Sequence, residues 1–547
     1  MDSLTTYRPK PTLTCTKALA LYLGLLVGFT AFYAATAQRG VSWQDSGMFQ
    51  YRAVHGDYSG ELGLALAHPM YILMLRAVVG VATWWNNPHP IAGLESAASD
   101  DAIWAMNAFS GLGMAIALAN LFLLVTRLTG RWWAGVGIAL MMSVAHTNWW
   151  MATIAEEHSW SLVGLSLECL LLVSLIRRPE WSTLAWLALV SGWGWSVHNA
   201  ALLPLPVHLT VMVYLMVRRR LPVWSVVPAM TMYALGAALY IGMIIYYAMD
   251  AGLSAAVKSA LFGNDFQRHV LGGGARTYLP YNLALMSLNG VSLLPVLAVV
   301  GWWHFRRRLG GQTALALAAI TVIHAVFVLR YFVPDQFTFF LPTLWLTAMA
   351  GGVGLVVLVE RSRRWRKAML VGMALSLVTG PAAYALLPHL VRTPDFRRAL
   401  PFRDEIRYWA VPWKHNERSA EQFAQAVLDQ LGNTIWDQRG RKDNPVSRDE
   451  HTTVLLDSTS FYPVILTLDQ GFLREYVQVL PLPLDKFHIA SVHHAVGVRP
   501  VYILSPRDIP PSMRDEVTPV KTHPDNVLYR LVVKQDPEIP HDFPTQK

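Results

Sequence analysis

Six short polar segments stand at the borders of long apolar runs, and they hold most of the side chains able to do chemistry. Residues 42–49 place Asp45 after the first apolar run, and His68-Pro69 comes just before apolar sequence resumes. Glu156-Glu157-His158, His198-Asn199, the stretch from Asn264 to Arg276, and Arg330-Tyr331 with Asp335 repeat the arrangement further along. Carboxylates and imidazoles at the ends of membrane spans are partly desolvated, so their pKa values can be tuned for catalysis. The pattern points to an enzyme at a membrane face. Glu156-Glu157-His158 resembles a fragment of a metal site, but that helix carries no second His at ligand spacing, so neither a metal nor a cofactor is expected.

Each residue also has a plainer reading. Asp45 can cap a helix, His68 can order its loop, and His198 can be a satisfied interhelical histidine. Glu156, Glu157 and His158 can be a solvated helix boundary. Trp132, Trp133, Trp149 and Trp150 fit an interfacial aromatic belt. The Gly272 to Gly274 run lacks the Lys-Ser/Thr of a phosphate loop and reads as a plain loop.

The elements that must position these groups follow from composition. Hydrophobic residues make up 53% of the chain and charged residues 15%, with 21 Trp. Apolar runs near 17–37, 102–126, 132–152, 159–176, 181–197, 200–217, 223–248, 281–303, 312–329, 336–358 and 367–388 predict about eleven spans. The net charge of +9 comes from Lys/Arg clusters between those runs, which is a topological signature and not one of nucleic-acid binding. The segment 62–84 decides the parity. If it crosses, the clusters at Arg127/Arg131, Arg177/Arg178, Arg218–Arg220, Arg306–Arg308 and Arg361–Lys367 all face outward, against the positive-inside rule. It is therefore expected to be an interfacial or re-entrant helix within a first external loop at 38–101. That parity puts the N-terminus in the cytoplasm and the polar segments outside. The two cysteines offer no disulfide framework, and the absence of an Asn-x-Ser/Thr sequon favours a bacterial inner membrane. After residue 388 hydropathy falls. Ala420–Leu431 has helical spacing, while Thr453–Leu456 and Val501–Leu504 read as buried strands, which predicts an external α/β domain over 389–547.

Trp43-Gln44-Asp45-Ser46-Gly47, His68-Pro69, Asn107 with Ser110, Ala155-Glu156 with His158, Val197-His198, Tyr331 with Asp335 and Pro342, and Pro401-Phe402-Arg403-Asp404 together resemble the protein O-mannosyltransferase-like membrane family, within the GT-C glycosyltransferase class. The resemblance implies an α-helical polytopic fold with a catalytic carboxylate in a large first external loop. It also implies inverting transfer of a sugar, mannose by family, from a polyprenyl-phosphate donor to an acceptor hydroxyl, protein Ser/Thr by family. Such a transfer needs one base, for which Asp45 is the candidate, with Glu156 orienting the base or the acceptor. Trp43, Gln44, His68, His158, His198, Arg276, Arg330, Tyr331 and Asp335 are the expected substrate-binding residues. Arg268, His269, Arg276 and Arg330 are expected to stabilise the phosphate leaving group. Expected partners are membrane lipid, the polyprenyl-phosphate sugar, and a protein or glycan acceptor.

Two departures carry consequences. Met48 stands where the family usually has Glu, removing a second carboxylate from this loop. His68-Pro69-Met70-Tyr71-Ile72-Leu73 replaces His-Pro-Pro-Gly-Tyr-Pro, so the interfacial helix should run straighter. A lipid or cell-envelope glycan acceptor is the nearest alternative. A transporter would place its ionisable groups mid-bilayer in related halves, and a scaffold would need one span.

Overall fold

The computed structural model describes residues 13–60, 62–86, 99–263, 267–272, 276–391, 400–439, 452–469, 472–482, 484, 486–521 and 526–534. Asn264, Gly273, Gly274 and the residues just beyond 391 lie outside these. Helices dominate: α1 (Cys15–Thr36), α2 (Gln44–His55), α3 (Pro69–Asn86), α4 (Asp100–Thr129), α5 (Trp132–Ser143), α6 (His146–Met151), α7 (His158–Arg177) and α8 (Trp181–Val197) lead into a further series that ends at Arg363–Leu390.

Among the described residues, seven helices are long and apolar enough to cross a membrane, or eight if the pair Val223–Gly236 and Ala238–Ala251, bent by 71°, is one span. The eleven expected runs are helical, but several are short or broken. The 132–152 run divides into α5 and α6, and the 281–303 run into Leu279–Leu288 and Leu294–Leu309; α8 has only 17 residues.

Helix breaks inside a bundle must have their freed backbone groups satisfied by protein. Tyr33 donates to Ser143 O (2.9 Å) and Tyr384 to Val144 O (3.3 Å), covering the α5–α6 break. Asn289, at the other break, accepts from Thr147 N at 2.9 Å and donates to Thr147 Oγ1 at 2.8 Å. The two breaks are thus stitched to each other.

Close packing sets the rest of the bundle. Leu294–Leu309 lies against Leu341–Arg361 so tightly that a Cβ on Gly301 would sit 1.8 Å from Ala350 O, and one on Gly354 2.0 Å from Leu297 O. Only glycine allows that approach. At one end of the bundle the basic clusters meet: Arg131 and Arg308 both pair with Glu360 (2.8 and 3.3 Å), and Arg177 donates to Arg127 O. α3 is one uninterrupted helix, as the missing Pro and Gly breakers imply, and it packs against α2, α4 and α8.

The C-terminal part folds around a five-stranded sheet of β1 (Thr452–Asp457), β2 (Val477–Leu482), β3 (Val501–Ile503), β4 (Val517–Val520) and β5 (Tyr529–Val533), in the order β2-β1-β3-β5-β4. β1 pairs in parallel with β2 and β3, and β5 is antiparallel to β3 and β4. Both expected strands fall on this sheet, and the expected helix lies within Ser419–Arg439.

Candidate active site

Asp45 sits in the first turn of α2, and the backbone just before it is strained: Gln44 has φ +57°. A non-glycine residue in that region costs about 1–2 kcal/mol, which the surroundings must offset. They do so with a buried polar network. Ser42 N donates to Gln50 Oε1 (3.0 Å), Gln50 donates to Asn107 Oδ1 (2.9 Å), and Asn107 Oδ1 also accepts from Ala155 N (2.9 Å). Trp43, only 1% exposed, donates from its indole to Ser419 Oγ (2.8 Å), packs on Phe423 and lies under Arg403. Trp43 therefore clasps the C-terminal domain to α2 and does not line a substrate path. Asp45 itself is solvent-accessible, yet burial among protein atoms raises its pKa. Accessibility and desolvation coexist on the wall of a recess.

Glu156 and Glu157 arrive from the loop before α7. Ser46, next to Asp45, donates to Glu156 Oε1 at 2.7 Å, and Ser110 Oγ takes the Glu156 amide at 3.0 Å. Both carboxyls are buried, at 8% and 4% exposure, so the solvated-boundary reading of this segment fails. Burial and the neighbouring Glu157 and Asp45 charges hold Glu156 well above the carboxylate range, and burial lifts Glu157 to about 8. Asp335 is pushed up to about 7 by burial and by Asp45. These four carboxyls form one interacting set that titrates jointly. Near neutral pH it presents ionised and protonated members side by side.

Three imidazoles surround one oxygen. Glu157 Oε1 lies 3.9 Å from His68 Nε2, 3.7 Å from His158 Nε2 and 3.6 Å from His198 Nε2. The His68 and His198 rings stack with centroids 5.1 Å apart, and Phe339 abuts His158 and His198. His68 also has a left-handed backbone, φ +46°, just before Pro69. Arg52 imposes that entry into α3: buried at 2% exposure, it donates to the carbonyls of Asp57, Tyr58, Leu66 and Ala67. Arg76, costly if it faced lipid, instead caps α2 through Ala53 O and Val54 O. Burial lowers His68 well below its ordinary value and His198 to about 4, so both are neutral.

The recess thus brings together Asp45, Glu156, His68, His158, His198 and Asp335. Tyr331 joins them: its hydroxyl is raised by burial and by the Asp335, Asp45 and Glu157 charges. Gln44 contributes its strained backbone. Arg276 and Arg330 are elsewhere: Arg276 lies over the Phe332 ring at 5.6 Å, and Arg330 reaches Leu271 O at 3.5 Å. Among the described residues, neither forms an ion pair with a carboxyl of the recess. Sequence reasoning missed the clamp role of Arg52, Glu157 as the hub of the histidines, and Phe339. An Arg within a short helix that turns its side chain to several loop carbonyls leaves no spacing signal. An apolar cavity of about 680 Å³, bounded by Met74, Val78, Trp85, Trp104 and Phe109, opens between α3 and α4, starting two turns beyond His68.

No family model matches the chain, and no curated protein matches it in sequence. Solved structures do. ArnT from Cupriavidus metallidurans bound to undecaprenyl phosphate aligns over 95% of this chain and 98% of its own, with 14% identity and a TM-score of 0.54. Its apo form aligns over 94% and 98%, with 15% identity and a TM-score of 0.53. Similarity end to end in both chains means that the bundle and the sheet domain are matched together, and the chain has a GT-C-like fold.

Proposed function

We propose that this protein is an integral membrane glycosyltransferase that moves a sugar, mannose by the family resemblance, from a polyprenyl-phosphate carrier to an acceptor hydroxyl, with protein Ser/Thr as the acceptor. The observation that carries this reading is the accessible, desolvated Asp45 facing a recess shared with Glu156, Glu157 and Asp335. A carboxylate whose pKa is raised towards neutrality is a stronger base while still being available ionised. Asp45 takes the acceptor proton as the anomeric carbon is attacked from the face opposite the phosphate, giving inversion. Glu156, held by Ser46, orients the acceptor. The N–H group of His158 and the Tyr331 hydroxyl meet the departing phosphate.

The apolar cavity between α3 and α4 would take the prenyl chain, and the ArnT structure with undecaprenyl phosphate supports a carrier of this class. The basic end of the bundle, with Arg127, Arg131, Arg177 and Arg308, lies a helix length from the recess, which supports a cytoplasmic basic face and an extracytoplasmic site in a bacterial inner membrane.

The test is transfer by purified protein in nanodiscs from polyprenyl-phosphate sugars to a pool of peptides and glycans, wild type against Asp45→Asn. Transfer to peptide that is lost in a folded Asp45→Asn protein supports the reading. Transfer to glycan alone replaces the acceptor, and equal transfer by both proteins removes Asp45 as the base.

A further inference from the structure

We propose that the recess also holds a first-row divalent metal ion, bound by His68 Nε2, Glu157 Oε1 and His198 Nε2, with His158 and Glu156 beside it. These side chains come from the loop before α3, the loop before α7 and the end of α8, so no single-helix spacing could show them. Their donor atoms lie within 4.8 Å of one another, and Glu157 Oε1 is 3.9 and 3.6 Å from the two nitrogens. Bonds of about 2.0–2.1 Å in tetrahedral array put ligand atoms roughly 3.4 Å apart, so Glu157 Oε1 needs to move by only a few tenths of an ångström towards each nitrogen.

Two further observations point to a ligand. Glu157 Oε2 is buried without a hydrogen-bond partner among the described residues, a costly state for a polar atom. His68 is prepared for ligation: with Nδ1 3.0 Å from Val197 O, its proton belongs on Nδ1 and the Nε2 lone pair faces Glu157. A backbone carbonyl that fixes the tautomer in this way is the usual outer partner of a metal-bound imidazole. His198 is less prepared, because its Nδ1 accepts from Ala200 N at 3.0 Å. To offer the Nε2 lone pair it must carry its proton on Nδ1 and give up that contact. Two imidazoles with one carboxylate favour Zn²⁺ or another late first-row ion over Mg²⁺, Ca²⁺ or Mn²⁺. The remaining coordination position faces the recess, where it would take a phosphate oxygen of the donor; that role rests on the transferase reading, whereas ion binding does not.

The experiment uses tag-free, full-length protein in nanodiscs, stripped with chelator, loaded with Zn²⁺ and freed of excess. Metal is counted by mass spectrometry, and Co²⁺ is substituted to read its visible absorption. Wild type should retain roughly one ion per chain, with tetrahedral Co²⁺ bands. His68→Ala and Glu157→Gln should weaken retention by at least tenfold, and His198→Ala by less, as its contact with Ala200 implies. His493→Ala/His494→Ala, on a surface helix of the C-terminal domain, should retain the ion in full. No retained ion and no cobalt bands in wild type would overturn the proposal, a result that needs no variant to fold. Retention that survives His68→Ala and Glu157→Gln but falls in His493→Ala/His494→Ala would overturn it as well. A protein that keeps its ion and transfers no sugar would remove the transferase reading and leave the metal site standing.

Discussion

The two ends of α7 hold charge in opposite ways. Its first residue, His158, lies in a buried recess with Glu156 and Glu157; its last, Arg177, lies at the far end of the 20-residue helix, about 30 Å away, beside Arg127. At the basic end Arg131, Arg308 and Glu360 are 31–44% exposed, and water screens their pairing. At the recess end the carboxyls are enclosed, repel one another and shift far from their ordinary values. Similar numbers of charges thus make an anchor at one end and a reactive set at the other. Desolvation, and not charge count, separates them.

The largest expected effect is chemical. Asp45→Asn keeps the side-chain volume and removes the base, so transfer should fall by about 10²–10⁴-fold with the melting midpoint unchanged. A loss confined to KM would sink the base assignment. Next comes Arg52→Ala, which strips donors from four carbonyls and leaves a cavity; a cost of about 3–5 kcal/mol is expected, read as a lowered melting midpoint together with lost transfer. If the protein melts as wild type does, the Arg52 clamp does not hold the loop. Trp43→Ala should be milder in chemistry but should loosen the sheet domain, seen as faster proteolysis within residues 415–534 while the bundle stays intact.

How much of this the chain itself disclosed depends on the range of the interaction. Polar groups at the ends of apolar runs are a local signal, and Asp45, His68, Glu156, His158, His198, Tyr331 and Asp335 could be picked out because each closes or opens such a run. Trp43 was placed on the substrate by the family resemblance, but its indole is held by Ser419, a partner 376 residues away that no periodicity encodes. Arg276 and Arg330 were chosen by charge, and charge does not say whether a side chain points to a carboxylate or to Phe332. The count of eleven spans is not confirmed among the described residues, because where a helix ends depends on contacts between runs: the Asn289–Thr147 stitch offsets the cost of a break that a count of apolar residues passes over. Glu157 was read together with its neighbour, although the loop turns the two carboxyls to different partners.

The recess should also announce itself through pH. Asp335 is raised to about 7 because it is buried and faces Asp45; Glu156, Glu157 and Tyr331 are the other titratable groups in that set. A carboxyl whose folded pKa is raised stabilises the fold below its ordinary pKa, near 4, and that contribution fades as pH climbs to about 7. Stability should therefore decline from pH 4 to 7 by less in Asp335→Asn than in wild type. Transfer runs the other way, because the base must be ionised: it should rise with pH, and Asp335→Asn should move that rise to lower pH by relieving the repulsion on Asp45. A rise that stays in place would mean that the two aspartates do not share one recess.

The smallest effect tests the other side of the comparison. Arg131→Ala removes a half-exposed partner of Glu360, and Arg308 remains within 3.3 Å to hold that carboxylate. Exposed pairs of this kind are worth about 0–1 kcal/mol and weaken further in salt, so neither melting nor transfer should change measurably at physiological ionic strength. The residue should still matter for insertion, because positive charge flanking a span sets its orientation. Removing Arg127, Arg131, Arg177 and Arg178 together should then yield a fraction of chains with reversed topology, detected by cysteine labelling of the sheet domain from either side of the membrane. If single and combined changes are equally silent in folding and in topology, the basic end is not the anchor that its exposure implies, and the contrast between the two ends of α7 reduces to burial alone.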